Sequence, residues 1–334
     1  MIEVGVVGGT GYTGKELLRL ITKHPKFELS FATSRGSEET KISQIHPNLS
    51  GFIDDEFISP SSDLDADLVF TAVPHTKGME YIPKIREKGI KAIDLSADYR
   101  LSVEAFEEYY STKHTDPGRE AVYGLTEYNR EEIEKADFVA NPGCFPTGAL
   151  LSVLPLLDSD FDLDYFLFDS KTGVSGAGAK PTQTTHYPNV NDEVSAYNLV
   201  SHRHNAEIKK ILEQHNLPDF GFTPHIIPMV RGIETTAHLI TKQKFKIDEL
   251  FELYSSFYNN SSFVRIKKQE PKIKSVRGTN YVDLGGFGIE DSRTVILSTI
   301  DNLVKGAAGQ AIQNANLMFD LDEELGLKEP GLSP

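Results

Sequence analysis

The chain has 334 residues, 39% of them hydrophobic and 25% charged, about twice the length of a typical domain. That composition fits a globular protein with ample material for a core, and no run of about 18 apolar residues reads as a membrane-spanning helix. A net charge of 34 − 49 = −15 disfavours nucleic acid and acidic membranes as partners, and one cysteine excludes an internal disulfide framework and suits a cytoplasmic address.

Met1 leads directly into Ile2 to Val7, a strand pattern without the layout of a signal peptide. Lys15 to His24 carries Leu17, Leu18, Leu20 and Ile21 at helical spacing, and Glu28 to Thr33 reads as the next strand. Leu68 to Val73, Ala92 to Leu95 and Phe138 to Ala140 are further strands. Lys77 to Lys88 and Glu131 to Lys135 are helical between them. Five strands with crossovers predict a Rossmann-like, doubly wound parallel sheet over residues 1–143.

The pattern changes after Cys144. Pro146 to Leu157 reads as a helix, Tyr165 to Ser170 as a strand and Gly173 to Pro188 as a long loop. Phe222 to Met229, Thr235 to Thr241, Val264 to Ile266, Tyr281 to Ile289 and Thr294 to Ile300 are strands, interrupted by a helix at Ile247 to Tyr258. Residues 144–302 are therefore expected to form an α+β catalytic and dimerisation domain with a mixed sheet, giving a homodimer or homotetramer. A last helix from Leu303 to Phe319, rich in Ala and Gly, is expected to bring 303–334 back to the first domain. Asp320 to Glu324 is expected to be a solvated tail, and the basic stretch 265–277 a solvated face.

Gly8-Gly9-Thr10-Gly11-Tyr12-Thr13-Gly14 follows a strand and opens a helix. Glycine lets backbone approach a pyrophosphate, and a helix N-terminus offers N–H groups and positive potential. The spacing G-x-x-G-x-x-G also suits a tight turn without a ligand. At the end of the second strand, where an NAD site usually places an acid, stand Ser34, Arg35 and Gly36. A hydroxyl and a guanidinium fork suit a 2′-phosphate, so NADP is favoured over NAD.

Cys144 stands between a strand and a helix, preceded by Gly143. A thiolate there is stabilised by the helix dipole, and the same amides can hold an oxyanion, so a nucleophile is favoured over an inert core thiol. His202 and His204 are the candidate bases, with Glu207 three residues on to orient His204. His24, His114 and His215 are expected at the surface, and no Cys/His/Asp cluster has the spacing of metal ligands. Gly173 to Gly178 is either a connector or a loop meeting nicotinamide or substrate. Arg100 follows a strand's carboxyl end, where it can clamp a phosphate or pair with a surface acid.

With these residues in view, the chain resembles the N-acetyl-γ-glutamyl-phosphate reductase family over nearly its whole length. The resemblance is carried by Gly8 to Gly14, Asn141 to Thr147, Gly173 to Gly178, His202-Arg203-His204, Pro228 to Gly232 and Asp301 to Ala308. It implies reductive dephosphorylation of a small acyl phosphate: attack by Cys144, a thioester, hydride from NADPH, and proton handling by His202 or His204. It further implies Gly8, Thr10, Gly11, Tyr12, Thr13, Ser34, Arg35 and Gly36 as the NADP(H) site, Ser175, Gly176 and Asn302 at the nicotinamide, and Arg100 and Arg231 as substrate anchors. Rival readings are a reductase acting on a carrier-protein-linked acyl phosphate, which the negative charge disfavours, and aspartate-semialdehyde dehydrogenase. A non-catalytic NADP sensor would have no use for Cys144.

Overall fold

The computed structural model describes residues 1–216, 219–241 and 244–333, and the chain divides into two compact bodies. The first comprises Met1–Pro142 and Ala307–Lys328; the second comprises Gly143–Gly306 and the chain from Glu329 onward. Among the described residues no helix is long and apolar enough to cross a membrane.

In the first body, β1 (Ile2–Val7), β2 (Phe27–Ala32), β3 (Leu68–Thr71), β4 (Lys91–Asp94), β5 (Val122–Tyr123) and β6 (Phe138–Ala140) form one sheet in the order β2-β1-β3-β4-β6-β5. Every pairing in it is parallel. Val4 to Val7 and Leu68 to Thr71 are buried throughout, as strands covered on both faces must be. The order reverses between β1 and β3, so the glycine turn after β1 stands at a topological switch point.

The sheet has six strands where five were expected, because two residues in β5 are too few for a periodic signal. The helix after β1 runs Tyr12–Ile21, starting at the turn itself, and it buries Leu17, Leu18, Leu20 and Ile21. The expected helix at 77–88 divides into a 3₁₀ turn, Gly78–Glu80, and a helix, Ile82–Glu87. Pro83 lacks the N–H that would continue one into the other.

The C-terminal segment begins as a π-turn, Val304–Ala308, and continues as the helix Gly309–Met318, every residue of which is buried. Its polar side chains have partners: Asn314 Nδ2 donates to the Gly124 carbonyl at 2.8 Å, and its Oδ1 accepts from Thr126 Oγ1 at 2.8 Å. The acidic end that follows is not a free tail. Glu323 is buried, pairs with Arg130 and accepts from Gln313 Nε2 at 3.0 Å. His24 and His114 are buried rather than exposed, and His215 is half-buried. His24 Nδ1 accepts the Phe27 amide at 3.0 Å and Nε2 donates to Asn316 Oδ1 at 2.9 Å. His114 likewise accepts the Asp116 amide at 3.1 Å and donates to the Asp98 carbonyl at 2.9 Å.

In the second body, β7 (Tyr165–Thr172), β8 (Ser195–Ala196), β9 (Phe220–Ile226), β10 (Ile233–Ile240), β11 (Val264–Lys267), β12 (Val282–Glu290) and β13 (Arg293–Ile300) form a mixed sheet, ordered β11-β12-β13-β10-β7-β9-β8. Strand β10 alternates strictly between buried and half-buried residues, so one face is core and the other is open. The helix Cys144–Leu151 packs on β10 and β13. The basic stretch is anchored at its start, where Arg265 pairs with buried Asp283 and lies 4.3 Å from the centroid of the Tyr281 ring.

Candidate functional site

In the first body the turn after β1 is built around its glycines. Gly8 has φ +89°, open to glycine with little strain, and a β-carbon on Gly14 would stand 2.4 Å from the Gly8 carbonyl oxygen. A β-carbon on Gly11, by contrast, would meet nothing within 4 Å, so that side of the turn is open. Gly11 caps the helix without a side-chain hydrogen bond, and helix geometry gives its first-turn amides no intrahelical acceptor. Thr10, Gly11 and Thr13 are half-buried and Tyr12 is exposed at this end. An open, glycine-lined helix start fits a dinucleotide pyrophosphate.

Two residues outside the motif hold the turn. Thr33 Oγ1 accepts from the Gly8 amide at 3.2 Å and the Thr33 carbonyl from the Gly9 amide at 3.0 Å. His46 Nε2 donates to the Gly9 carbonyl at 2.8 Å. His46 sits in a stretch without periodicity, and no signal in the sequence points to it. Ser34 is buried, and its Oγ accepts the amides of Gly36 (3.3 Å) and Ser37 (3.0 Å), so it shapes the turn that presents Arg35. Arg35 is exposed. Its guanidinium donates to Tyr81 Oη at 2.8 Å and to Glu80 Oε2 at 3.0 Å.

Arg100 is also in the first body, and it is not at the surface. It is buried, with Nε donating to the Asn141 carbonyl at 2.7 Å and Nη2 to the Leu95 carbonyl at 2.8 Å. This guanidinium ties together the ends of β4 and β6, the strand that leads to Cys144. Asn141 is held a second time, through Nδ2 to the Ala307 carbonyl at 3.1 Å.

In the second body Cys144 is the first residue of its helix, with Gly143 as the cap at φ −69°, ψ 153°. The Gly143 amide donates to Glu207 Oε2 at 2.9 Å. A β-carbon on Gly143 would stand 2.6 Å from His204 Nε2 and 2.8 Å from Glu207 Oε1, so only glycine lets this pair so near the start of the Cys144 helix. His204 Nε2 lies 3.8 Å from Glu207 Oε1, and the carboxylate is fully buried. Expectation and geometry agree here, since the spacing of three puts both on one face of the helix start.

His202 is in the same cluster. Its ring meets Phe145 edge-on at 5.5 Å, His204 at 4.8 Å, Phe222 at 5.5 Å and Tyr197 at 5.5 Å. Burial among these rings, with the Arg203 charge beside it, pushes its pKa down to about 4. The His204 amide donates to Nδ1 at 3.1 Å, so the neutral ring carries its proton on Nε2. Tyr197 was not singled out by the sequence. Burial and then the charge of Cys144 raise its phenol's pKa, which puts Tyr197 within electrostatic range of the thiol.

Ser175, Gly176 and Asn302 are brought together. Asn302 Nδ2 donates to Ser175 Oγ at 3.0 Å, and its Oδ1 accepts the Gly232 amide at 2.7 Å. A β-carbon on Gly173 would stand 2.6 Å from the Val230 carbonyl, so the loop from Gly173 lies against the 229–232 segment and begins as a 3₁₀ turn, Val174–Ala177. Arg231, partly exposed, donates through Nη2 to buried Asp301 Oδ1 at 3.0 Å. Asp301 also accepts the amides of Gly278 (2.7 Å), Leu303 (2.9 Å) and Val304 (3.2 Å).

Comparison with known proteins agrees across the chain. Residues 3–136 match the family model described as semialdehyde dehydrogenase, NAD binding domain, and residues 144–302 match semialdehyde dehydrogenase, dimerisation domain. A protein of Methanocaldococcus jannaschii named N-acetyl-gamma-glutamyl-phosphate reductase is 48% identical over 341 residues, covering 100% of both chains. One of the same name from Methanosarcina mazei is 49% identical over 340 residues, covering 100% of this chain and 99% of its own. Among solved structures, aspartate semialdehyde dehydrogenase II of Vibrio cholerae has a TM-score of 0.71 at 17% identity, covering 96% of this chain and 99% of that one. The aspartate semialdehyde dehydrogenase of Candida albicans, solved with NADP, has a TM-score of 0.68 at 16% identity, covering 96% and 98%. At those identities the solved structures establish the two-domain fold.

Proposed function

The chain belongs to the N-acetyl-gamma-glutamyl-phosphate reductases of the semialdehyde dehydrogenase family, and from that premise we propose its reaction. The protein reduces N-acetyl-L-glutamyl 5-phosphate to N-acetyl-L-glutamate 5-semialdehyde with release of phosphate, in arginine biosynthesis. The observation that carries the reading is Cys144 at the head of a helix, with the His204–Glu207 pair against its capping glycine.

His204 takes the thiol proton, and Glu207, 3.8 Å away, stabilises the imidazolium formed. The thiolate attacks the γ-acyl carbon, the carbon–oxygen bond to phosphate breaks, and a thioester remains on Cys144. The first-turn amides of the helix suit the oxyanion of that step. His202, neutral and protonated on Nε2, acts as a hydrogen-bond donor to substrate oxygen rather than as a proton acceptor. NADPH, when bound, supplies the hydride that reduces the thioester carbonyl. Collapse of the resulting thiohemiacetal oxyanion expels the thiolate and gives the aldehyde.

The first body, Met1–Pro142 with Ala307–Lys328, works as the NADP-binding domain, somewhat shorter at both seams than the expected 1–143 with 303–334, and the second body as the catalytic and dimerisation domain. Gly8, Thr10, Gly11, Tyr12 and Thr13 receive the pyrophosphate. Arg35, exposed and presented by the Ser34 to Gly36 turn, selects NADP through the 2′-phosphate. Ser175, Gly176 and Asn302 border the nicotinamide, and Arg231 holds substrate. Arg100 supports the strand to Cys144. The open face of the mixed sheet pairs two copies in a cytoplasmic homodimer.

The test is oxidation of the semialdehyde in the presence of phosphate. N-acetyl-glutamate semialdehyde should turn over with NADP and at least about tenfold more slowly with NAD, and Cys144→Ser should abolish turnover with NADPH binding retained. Turnover of aspartate semialdehyde in preference to the N-acetyl compound overturns the substrate. Activity surviving in Cys144→Ser overturns the nucleophile.

A further inference from the structure

The nucleophile is packed against a glycine far from it in sequence. A β-carbon on Gly306 would stand 2.8 Å from Cys144 Cβ, closer than side-chain carbons approach one another, and 3.2 Å from its Cα, a tight contact. The Cβ of Cys144 is fixed by its own backbone whatever the rotamer, so no flexible side chain can turn aside to make room.

The segment bearing Gly306 is itself held in place. It lies in the π-turn Val304–Ala308, a rare winding that recurs at functional sites. Asp301, fully buried, accepts the Leu303 and Val304 amides on its carboxylate, and its carbonyl accepts the Gly306 amide at 2.9 Å. Arg231 and the Gly278 amide hold the same carboxylate. From the other side, the Gly143 amide is fixed by Glu207 and the Cys144 helix by Ser298, whose hydroxyl donates to the Gly148 carbonyl at 2.9 Å. Two braced segments therefore meet at one point, and that point is the carbon bearing the sulfur.

We propose that Gly306 is a positioning residue for the nucleophile: the absent side chain, held in register by Asp301 and the π-turn, sets where the Cys144 thiol stands. This rests on Cys144 being the nucleophile. A methyl group at Gly306 displaces the carbon that bears the sulfur, and the thiol with it. A misplacement of about 1 Å costs on the order of 10²-fold in rate.

Gly306→Ala should lower kcat by about 10- to 100-fold and slow alkylation of Cys144 by iodoacetamide about tenfold, with the NADPH Kd within about twofold of wild type. The pH midpoint of alkylation should move as well, which a loosened fold alone would not produce. A folded Gly306→Ala variant with kcat and alkylation rate both within about threefold of wild type overturns the proposal.

If the variant melts too low to assay, a stability cycle decides. In a Cys144→Gly background, which removes the closer of the two carbons, Gly306→Ala should cost clearly less stability than it does with Cys144 present. An equal loss in both backgrounds means that the methyl meets something else, and overturns the proposal. The Cys144→Ser assay above fails independently, so failure of the nucleophile and failure of the positioning role are told apart.

Discussion

At the scale of the residue, two histidines two positions apart have opposite surroundings. His202 has aromatic rings and a neighbouring Arg203, while His204 has a buried carboxylate. Under the proposed mechanism His204, beside the carboxylate, takes the thiol proton, and His202, held neutral, donates to substrate. His204→Asn should therefore slow iodoacetamide alkylation of Cys144 at pH 7 about tenfold or more, whereas His202→Asn should leave alkylation near wild type and lower kcat. The reverse pattern would exchange the roles. His202 also gives a stability signature. Its pKa falls from the ordinary 6.5 to about 4 on folding, so the unfolded chain binds the proton first. The stabilising contribution is complete above pH 6.5 and is lost as pH falls from 6.5 toward 4. Denaturation midpoints of His202→Asn should fall less over that interval than those of wild type. The residue types were legible in the sequence, but their different surroundings were not, because those depend on Phe145 and Phe222, brought in from elsewhere in the chain.

At the scale of the element, the helix that carries Cys144 shows why boundaries escape a reading of periodicity. The apolar run 146–157 reads as one helix, yet the structure has Cys144–Leu151 and Leu154–Leu157. Pro155 has no N–H for the Leu151 carbonyl four residues back, and the winding breaks there. The orphaned carbonyls are taken by tyrosines of the helix Ile247–Phe257 and its cap: Tyr258 Oη donates to Leu151 O and Tyr254 Oη to Ser152 O, both at 2.6 Å. Tyr258→Phe keeps the ring and deprives a buried carbonyl of its donor. It should cost about 1–3 kcal/mol in urea unfolding, with kcat changed less than about threefold. A stability loss under about 0.5 kcal/mol would show that the carbonyl has another donor. Pro155 is visible in the sequence. The tyrosines that compensate for it are about a hundred residues away and belong to packing.

At the scale of the whole molecule, each body poses its own question. In the second, the register aligns Leu167 of β7, His238 of β10 and Val295 of β13 in one row on the open face. Leu167 is 43% exposed, a large apolar side chain in the middle of a sheet. If this face pairs two copies, Leu167→Asp should shift the protein to monomer in sedimentation, with little change in the unfolding of each protomer, since the side chain is not in the core. An unchanged sedimentation coefficient would remove this face from the assembly. In the first body, burial of Gln310, Gln313, Asn314 and Asn316 along one helix runs against any expectation from polarity. The helix is nonetheless core, because carbonyls and side chains of that body take up the amides of Asn314, through Gly124 and Thr126, and of Asn316, through His24, Glu323 and Leu325.

The sequence by itself determined what is local. The Gly8 to Gly14 turn, the parallel strands, the helix opening at Cys144 and the His204–Glu207 spacing all follow from neighbours within a few residues, where backbone sterics and side-chain period act directly. Tertiary structure alone decided what depends on contacts across the chain. Thr33 and His46 hold the glycine turn, Arg100 is drawn into backbone carbonyls, the acidic end is docked by Arg130, and Gly306 stands against Cys144. The reason is physical: an unpaired buried polar group, or a β-carbon without room, has its cost set by whatever folds beside it, and that neighbour has no fixed distance in sequence.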